Sequence, residues 1–522
     1  MKKKLKIFQL FILIILSTCI VLSCNNDQSG TSVGAVDIDG DGIADGTAID
    51  TNEDGTPDGI DTDGDGVIDE EWSDSYSILY YSVTYDGNGK DNGDVPVDST
   101  SYNEGDTVTV AGNTGGLSLT DYIFNGWNSS ADGSGTSYKE GDSITIGSAD
   151  MTLYAQWKLA IDVYAAGITI DESEQYHAKY WKNGSAVSLD GAAASSIVVD
   201  EDDIHIVGLG MSSDEISGAG ANSSGTFYFK YWKNGSAIRL SEDFECNPSS
   251  LYTIPSGIYV HNGTAYATGY QYDDEDNIAF ARLWKIDDDN VTEITVAEGN
   301  SSSSSYAEDV FVDNNGVVYI AGEAQLNNSP SGYYVATLWK YDNGTITEVQ
   351  LTDGAGNANA HSVYVNDGIV YVSGYKKFET DGGTTVYGPA IATYWSYDGA
   401  TITTNVLLDT IPTQNNLNSE GESIFVNSDG VYIAGYDRTS SSTYNLKYWK
   451  DTDGTISDKT IASPSSYSDI RSICILKDDI YLAGFLTENS ITNAVYWENG
   501  SKTDLSEGDT DSLLLSITAV EN

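Results

Sequence analysis

The octapeptide KYWKNGSA stands at 179–186 and again at 230–237. An identity of that length is a structural repeat, and it is one line of a seven-fold text. Seven tryptophans recur in similar settings, as AKYWKNG, FKYWKNG, ARLWKID, ATLWKYD, ATYWSYD, LKYWKDT and AVYWENG. They are Trp181, Trp232, Trp284, Trp339, Trp395, Trp449 and Trp497, spaced 48–56 residues apart. A glycine line precedes each: VYAAGIT, IHIVGLG, AYATGYQ, VYIAGEA, VYVSGYK, VYIAGYD and IYLAGFL. A third line (SIVV, GIYV, DVFV, SVYV, SIFV, SICI) comes a short turn before the glycine line, and a fourth (AVSL, AIRL, EITV, EVQL) follows the tryptophan. Four short strands per unit of about fifty residues define a blade of a β-propeller.

We label the strands of a unit a (SIFV-type), b (glycine), c (tryptophan) and d. Strand a is missing before Val163 and turns up at the end of the chain as SLLLSITAV, 512–520. The last strand is therefore expected to complete the first blade and close the ring. The predicted fold class is all-β, with a seven-bladed β-propeller over 160–522. The tryptophans read as packing between neighbouring sheets, and the glycines as points where an adjacent sheet comes close. The repeats lack the Gly-His/Trp-Asp pair of WD40, the double glycine of kelch and the Asp box of sialidases. They resemble uncharacterised propeller repeats of bacterial surface proteins, a resemblance that implies no activity.

The a–b and c–d turns are short (VNDG, NSDG, KNG, DNG), whereas the b–c and d–a connections are long and variable. Insertions on one face of a propeller mark its binding side. The residue before each strand a should ring the central channel there: Ser195, Ser256, Glu308, His361, Glu422, Arg471 and Leu515. Glu308, His361, Glu422 and Arg471, from successive blades, are the candidate ligand face; such side chains bind a polar ligand or a metal, do acid–base work, or merely solvate a wet channel mouth. No nucleophile elbow, phosphate loop or dinucleotide fingerprint is present, no catalytic residue is assigned, and His177, His205 and His261 show no zinc spacing.

Three modules precede the head. MKKKLK followed by IFQLFILIILSTCIVLSC has the basic and apolar regions of a signal segment, 1–23. Val21-Leu22-Ser23-Cys24 resembles a bacterial lipobox, which implies diacylation of Cys24 and membrane attachment; Asn25 after it implies the outer membrane, if the cell has one. Small polar residues at 24–36 read as a flexible tether. Cys246 and Cys474 lie far apart and make no disulfide framework.

Residues 37–72 carry D-x-[DN]-x-D-G-x-x-D three times, as DIDGDGIAD, DTNEDGTPD and DTDGDGVID. Asp37, Asp39, Asp41 and Asp45, then Asp50, Asn52, Asp54 and Asp58, then Asp61, Asp63, Asp65 and Asp69, place oxygens at positions 1, 3, 5 and 9 around a glycine bend, a donor set suited to Ca²⁺. Position 12 holds Ala48, Asp61 and Trp72, so an EF-hand fits poorly. The strip resembles thrombospondin type 3 repeats, which implies a cation-stiffened stalk with little hydrophobic core; otherwise it is an acidic linker.

From 76 to 158 the chain reads as a small β module. VTYDGNG (83–89), IFNGWN (123–128) and LYAQW (153–157) closely resemble the internalin-type B, or Listeria–Bacteroides, repeat. That resemblance implies a β-grasp-like spacer or adhesive module, with Phe124, Trp127, Tyr154 and Trp157 as its core.

Composition agrees with a displayed β protein: Gly 53 and Tyr 36 against Pro 8 and Met 3 in 522 residues. Without the four N-terminal lysines, 20 basic residues face 79 acidic ones, a net charge of −59 that excludes nucleic acid as a partner and recruits cations. Two readings compete. One is a monomeric, lipid-anchored surface protein presenting the propeller to an extracellular protein or glycan; the other is a glycan-active propeller, whether lectin, lyase or hydrolase.

Overall fold

The structure is a computed structural model that describes residues 30–521, except 174, 212–224, 247–256, 274–277, 289, 298–302, 326–332, 380–386, 409–416, 441–442 and 507–510. The expectations for the signal segment, Cys24 and Ser256 lie outside the described residues, among which there is no helix. The chain divides at Ala160/Ile161 into two compact units.

In the first unit, β1 (Thr31–Asp37), β2 (Gly46–Asp50), β3 (Gly59–Asp61) and β4 (Glu70–Glu71) pair antiparallel in sequence, and each acidic loop joins one strand to the next. A fifth strand, β5 (Ser77–Leu79), pairs with the free side of β1. The fully buried residues here are Val36, Ala48 and Ile60, with Val33, Ile38, Trp72, Tyr76 and Ile78 against them. The tether expected over 24–36 thus ends earlier: from Thr31 the chain is paired with GTAID, the strand that follows the first repeat, because Val36 supplies a third of this small core. The repeat sheet also runs past Trp72, to Leu79.

The rest of the unit is a mixed sheet. Strand β6 (Val83–Asp86) runs parallel to the long β11 (Met151–Leu159), which pairs antiparallel with β8 (Tyr122–Asn128) and through it with β9 (Ser137–Tyr138). Strands β7 (Thr107–Thr109) and β10 (Ser143–Thr145) form a separate pair. Each is preceded by an EGD turn whose glycine, Gly105 or Gly141, has φ of +89 or +86, and whose aspartate accepts the backbone N–H three residues back, Asn103 or Lys139, at 2.7 Å. Trp127 is buried and donates its indole N–H to the Ala111 carbonyl at 2.8 Å. Phe124 and Trp157 pack half-buried beside it. Tyr154 is not part of this core: along β11 the buried positions are Leu153 and Ala155, and strand alternation turns Tyr154 to the other face.

The second unit is the propeller: seven sheets, each with the strand order a-b-c-d. The a strands are Ser512–Glu521 for blade 1, then Ala193–Asp200, Ile258–His261, Ser305–Val312, Ala358–Asn366, Ser419–Asn427 and Asp469–Leu476 for blades 2 to 7. Each packs against the next, and that of blade 7 packs against that of blade 1, so the ring is closed. Blade 1 is completed by the end of the chain, Ser512–Glu521 pairing antiparallel with strand b, Ile161–Ile170. All seven repeat tryptophans are at most 2% exposed, between sheets.

At Gly269 a Cβ would meet the Phe229 ring of the neighbouring sheet, as expected, but the other six b-strand glycines serve a different purpose. A Cβ on Gly167, Gly208, Gly322, Gly374, Gly435 or Gly484 would overlap the carbonyl oxygen of Leu513, Ala193, Tyr306, Asn359, Glu420 or Asp469. That oxygen belongs to strand a of the same blade, not to the neighbouring sheet. It comes close because strand a bulges there. The ladder skips one residue opposite the glycine in six blades, and the skipped residues are Leu515, Ser195, Glu308, His361, Glu422 and Arg471. A bulge leaves one residue unpaired and re-aims its side chain.

The residue after the bulge ties the ring together. Ser516, Ser362, Ser423 and Ser472 each accept, through Oγ, a backbone N–H of the next blade's strand a, from Ile197, Ile424, Ile473 and Ile517, at 3.2–3.4 Å. Blade 3 has Gly257 at this position and offers no oxygen. Blade 4 compensates with Asp309: Oδ1 accepts its own neighbour Val310 N–H at 2.8 Å, while Oδ2 accepts Val363 N–H at 3.0 Å and the Ser362 hydroxyl at 2.8 Å. Gly257 leaves room for that carboxylate, which a Cβ would meet at 2.5 Å.

Candidate functional site

Four of the bulged positions expected at the channel mouth come together with neighbours that sequence reasoning did not single out. His361 Nδ1 lies 3.3 Å from Glu422 Oε2, and Arg471 Nη1 lies 3.2 Å from the same oxygen. Arg471 also reaches Asp469, Nε to Oδ2 at 3.2 Å, and donates from Nη2 to the Tyr467 hydroxyl at 3.0 Å. Asn359 donates its amide to Glu308 Oε1 at 3.2 Å. Blades 4 to 7 are thereby linked side chain to side chain. Ser195 and Leu515 stay outside this network; Ser195 Oγ is buried without a partner, and Leu515 packs on the apolar cluster of blades 1 to 3.

The residues missed fall in two further columns of the repeat. Two positions before the bulge stand Asn359, Glu420 and Asp469; just after the b-strand glycine stand Glu323, Tyr375 and Tyr436. In blades 1 and 2 the same columns hold Leu513 and Ala193, and Ile168 and Leu209. A column that changes from apolar to polar in consecutive blades was the available signal. Farther along the a strands a run of tilted rings passes from blade to blade: Tyr259, Phe311, Tyr364 and Phe425 pack at centroid separations of 4.5, 4.8 and 5.0 Å.

The electrostatics follow from burial and from how few cations are present. Burial opposes the charge on Glu422, but Arg471 and then His361 outweigh it and hold its pKa at about 2. Burial would also lower the His361 pKa; the charge of Glu422, helped by Glu308 and Glu420, raises it instead to about 10. Both ring nitrogens then carry protons, and the one on Nε2 has no acceptor. Glu323 is pushed up to about 8 by burial and by the charge of Glu308. Burial likewise raises Glu308, incompletely offset by His361, and raises Glu420, which also faces Glu422. Asp469 is fully buried and shifted upward by that burial despite Arg471, its Oδ1 unpartnered. The site therefore holds a fixed Glu⁻–His⁺–Arg⁺ centre beside carboxyl groups shifted upward by burial, of which Glu323, at about 8, keeps its proton near neutral pH, an arrangement able to donate and accept hydrogen bonds and to transfer a proton.

A second set of acidic residues lies in the first unit. In all three loops the first aspartate receives two backbone N–H groups: Gly40 and Gly42 on Asp37, Glu53 and Gly55 on Asp50, Gly64 and Gly66 on Asp61, at 2.6–2.8 Å. The ninth residue, Asp45, Asp58 or Asp69, caps the N–H of position 2 at 2.8–2.9 Å. Carboxylate oxygens of Asp37, Asp39 and Asp45, and of Asp61, Asp63 and Asp65, lie within 4.8 Å of one another, close enough to share a metal ion. The fifth residues Asp41, Asp54 and Asp65 hold the backbone N–H groups of Ile43, Thr56 and Val67, and the third residues Asp39, Asn52 and Asp63 hold those of Asp41, Asp54 and Asp65.

The fold is thus a closed propeller with a polar centre on one half of its inner ring. Residues 81–156 match the Listeria-Bacteroides repeat domain. Two proteins of Evansella cellulosilytica are similar to part of the chain: a provisionally named Gly-rich membrane protein, 38% identical over 101 residues, and a provisionally named membrane protein, 44% identical over 82. These matches cover 18% and 16% of this chain, and the chain spans about 12% of the length of either relative. Among solved structures, a PL25 polysaccharide lyase described as an ulvan lyase superposes with a TM-score of 0.42 at 10% identity, over 68% of this chain and 96% of that one. The β-propeller domain of the Trilobed protease from Pyrococcus furiosus does so with a TM-score of 0.41 at 12% identity, over 66% and 92%. Neither likeness bears on activity.

Proposed function

We propose that this chain is a lipid-anchored surface protein that displays a ligand-binding propeller. The observation that carries the reading is the network Glu308–Asn359–His361–Glu422–Arg471–Asp469, built on bulges that serve no pairing need and supported by an interlocked ring. Burying such groups costs stability that an apolar channel would not, and blades 1 and 2 have apolar residues in the same columns. The lipobox-like Val21–Cys24 and the membrane-protein names of the relatives support membrane attachment. In the first unit, Ca²⁺ is the cation that the hard oxygens of the aspartate loops suit; bound there, it would neutralise mutually repelling carboxylates and stiffen the sheet between anchor and head.

The test is binding of the full chain to a glycan array, followed by His361→Ala and Arg471→Ala, with Asn343→Gly in a c–d turn of the opposite end as control. Loss of binding in the first two with retention in the third supports the reading. Retention in both mouth variants, or loss only in the turn variant, overturns it. Attachment is tested separately by detergent partitioning of wild type and Cys24→Ala; equal release into the aqueous phase overturns lipidation. A second reading, cleavage of a bound glycan, is favoured by one observation: Glu323, with its pKa pushed up to about 8, keeps a transferable proton beside His361 and Glu308. New reducing or unsaturated ends after incubation with the bound glycan would establish it.

A further inference from the structure

The mouth holds five carboxyl groups, Glu308, Glu323, Glu420, Glu422 and Asp469, against one guanidinium and one imidazole. Both cations are already committed to Glu422, and Arg471 also serves Asp469. Glu308 has an amide for a partner, and among the described residues Glu323 and Glu420 have no cation at ion-pair distance. These last three residues are only partly buried.

Three kinds of positive charge could answer that excess. A bare metal ion needs oxygens that converge, and among the described residues three or more metal-binding groups converge only in the aspartate loops of the first unit. A lysine side chain brings an ammonium on an apolar stem. It would leave Asn359 Oδ1 and Asp469 Oδ1, both buried acceptors without partners, and the proton on His361 Nε2 unanswered. An ammonium on a hydroxylated ring supplies all three: charge for the carboxylates, hydroxyl protons for the two acceptors and a hydroxyl oxygen for the imidazolium. Tyrosines stand where such a ring and its charge would lie. Tyr375 sits 5.7 Å, centroid to centroid, from His361, and Tyr306 is the strand partner of Glu323; aromatic faces attract ammonium groups.

We infer that the propeller mouth binds an amino sugar, its ammonium seated among Glu308, Glu323 and Glu420 and its hydroxyls meeting Asn359, His361 and Asp469. This rests on the mouth being the ligand site, as proposed above. Binding the cation favours the ionised form of Glu323, whose pKa stands at about 8, so complex formation releases a proton near neutral pH.

Calorimetry of the full chain with a β-1,4-linked glucosamine oligomer tests it, in two buffers of different ionisation enthalpy. The N-acetylated oligomer, the glucose oligomer and a lysine peptide are the comparisons. The amine form should bind roughly tenfold or more tightly than its acetylated counterpart, with net proton release. Glu323→Gln and Glu420→Gln, close in shape, should each remove roughly tenfold from the amine form and little from the acetylated one. Equal binding of amine and acetylated oligomers, or unaltered affinity in both variants, overturns the inference while leaving the mouth as a glycan site. Preference for the lysine peptide overturns it in favour of a protein ligand. If no oligomer binds in a way that His361→Ala abolishes, both this inference and a glycan-binding mouth fail. If one variant does not fold, the other, together with the amine–acetyl comparison on the unaltered chain, decides.

Discussion

Replacing Arg471 by methionine removes the one guanidinium that joins blades 6 and 7 at the centre of the propeller. Its side chain is 15% exposed, and those of Glu422 and Asp469 are 5% and 0% exposed, so both carboxyl groups would be left in a poorly hydrated place. The depression of Glu422 from 4.5 to about 2 corresponds to about 3 kcal/mol of preferential stabilisation of its charged form in the fold. Arg471 is the largest attractive contributor and His361 the next. Breaking a buried pair by deleting one member costs about 3–5 kcal/mol. Because His361 remains and Asp469 can take up a proton, the lower end, about 3 kcal/mol at pH 7, is the expected loss for Arg471→Met.

The sign of the pH dependence follows from the same residues. With its folded pKa depressed, Glu422 contributes stability that is fully present above its unfolded value near 4.5 and is lost as the pH falls through about 2. In the variant that depression is largely gone, and the stranded carboxyls protonate more readily than in the wild type. The deficit should therefore shrink as pH falls from 7 towards 4. Urea unfolding followed by tryptophan emission at both pH values measures this, since seven of the ten tryptophans are in the propeller. A loss under about 1 kcal/mol at pH 7, or one that does not change with pH, would refute the claim that Arg471 compensates buried charge.

Gly435→Ala should destabilise the propeller by about 2 kcal/mol or more, because the new Cβ overlaps the Glu420 carbonyl and the bulge bearing Glu422 must move; a melting temperature equal to wild type would contradict the close-approach account. Glu53 has φ of +59 where the other loops have Gly40 and Gly64, so Glu53→Gly should stabilise the first unit by about 1 kcal/mol, and a lowered melting temperature would count against it. CaCl₂ should raise the melting temperature and protease resistance of residues 31–79, with Asp63→Asn weakening both effects; an unchanged response in that variant would reject Asp63 as a ligand.

How far the sequence could be read depended on whether a feature repeats. Seven aligned glycines and tryptophans gave the blade register, and SLLLSITAV, with no partner of its own before 160, located the closing strand. The bulge row was legible too, because Glu308, His361, Glu422 and Arg471 share one alignment column. The bulge itself was not. Alternation of side chains says nothing about a skipped rung, so the glycines opposite it were assigned to the wrong neighbour. Asn359, Glu323 and Asp469 escaped because they become site residues only once the bulge turns the column beside it inward. Tyr154 lies outside the core for a simpler reason: in MTLYAQW alternate residues, Met151, Leu153, Ala155 and Trp157, pack on the core, and parity outweighs aromatic character. The exchange of Gly257 and Asp309 for the usual serine could be seen in the alignment, but its meaning lies in a hydrogen bond between blades.

The closing strand bears on how the molecule is made. Until the ribosome has released the chain as far as Glu521, strand b of blade 1 has one bare flank, Ile197 N–H lacks the Ser516 oxygen and Ser472 Oγ lacks Ile517. Six finished sheets then wait on either side of a gap. A product cut short by a nonsense codon or a stalled ribosome keeps that gap, with an unpaired strand edge that invites pairing with another chain. The seam thus separates chains that carry Ser512–Glu521 from those cut short before it, which keep a bare flank on strand b of blade 1 and present it to proteases and chaperones.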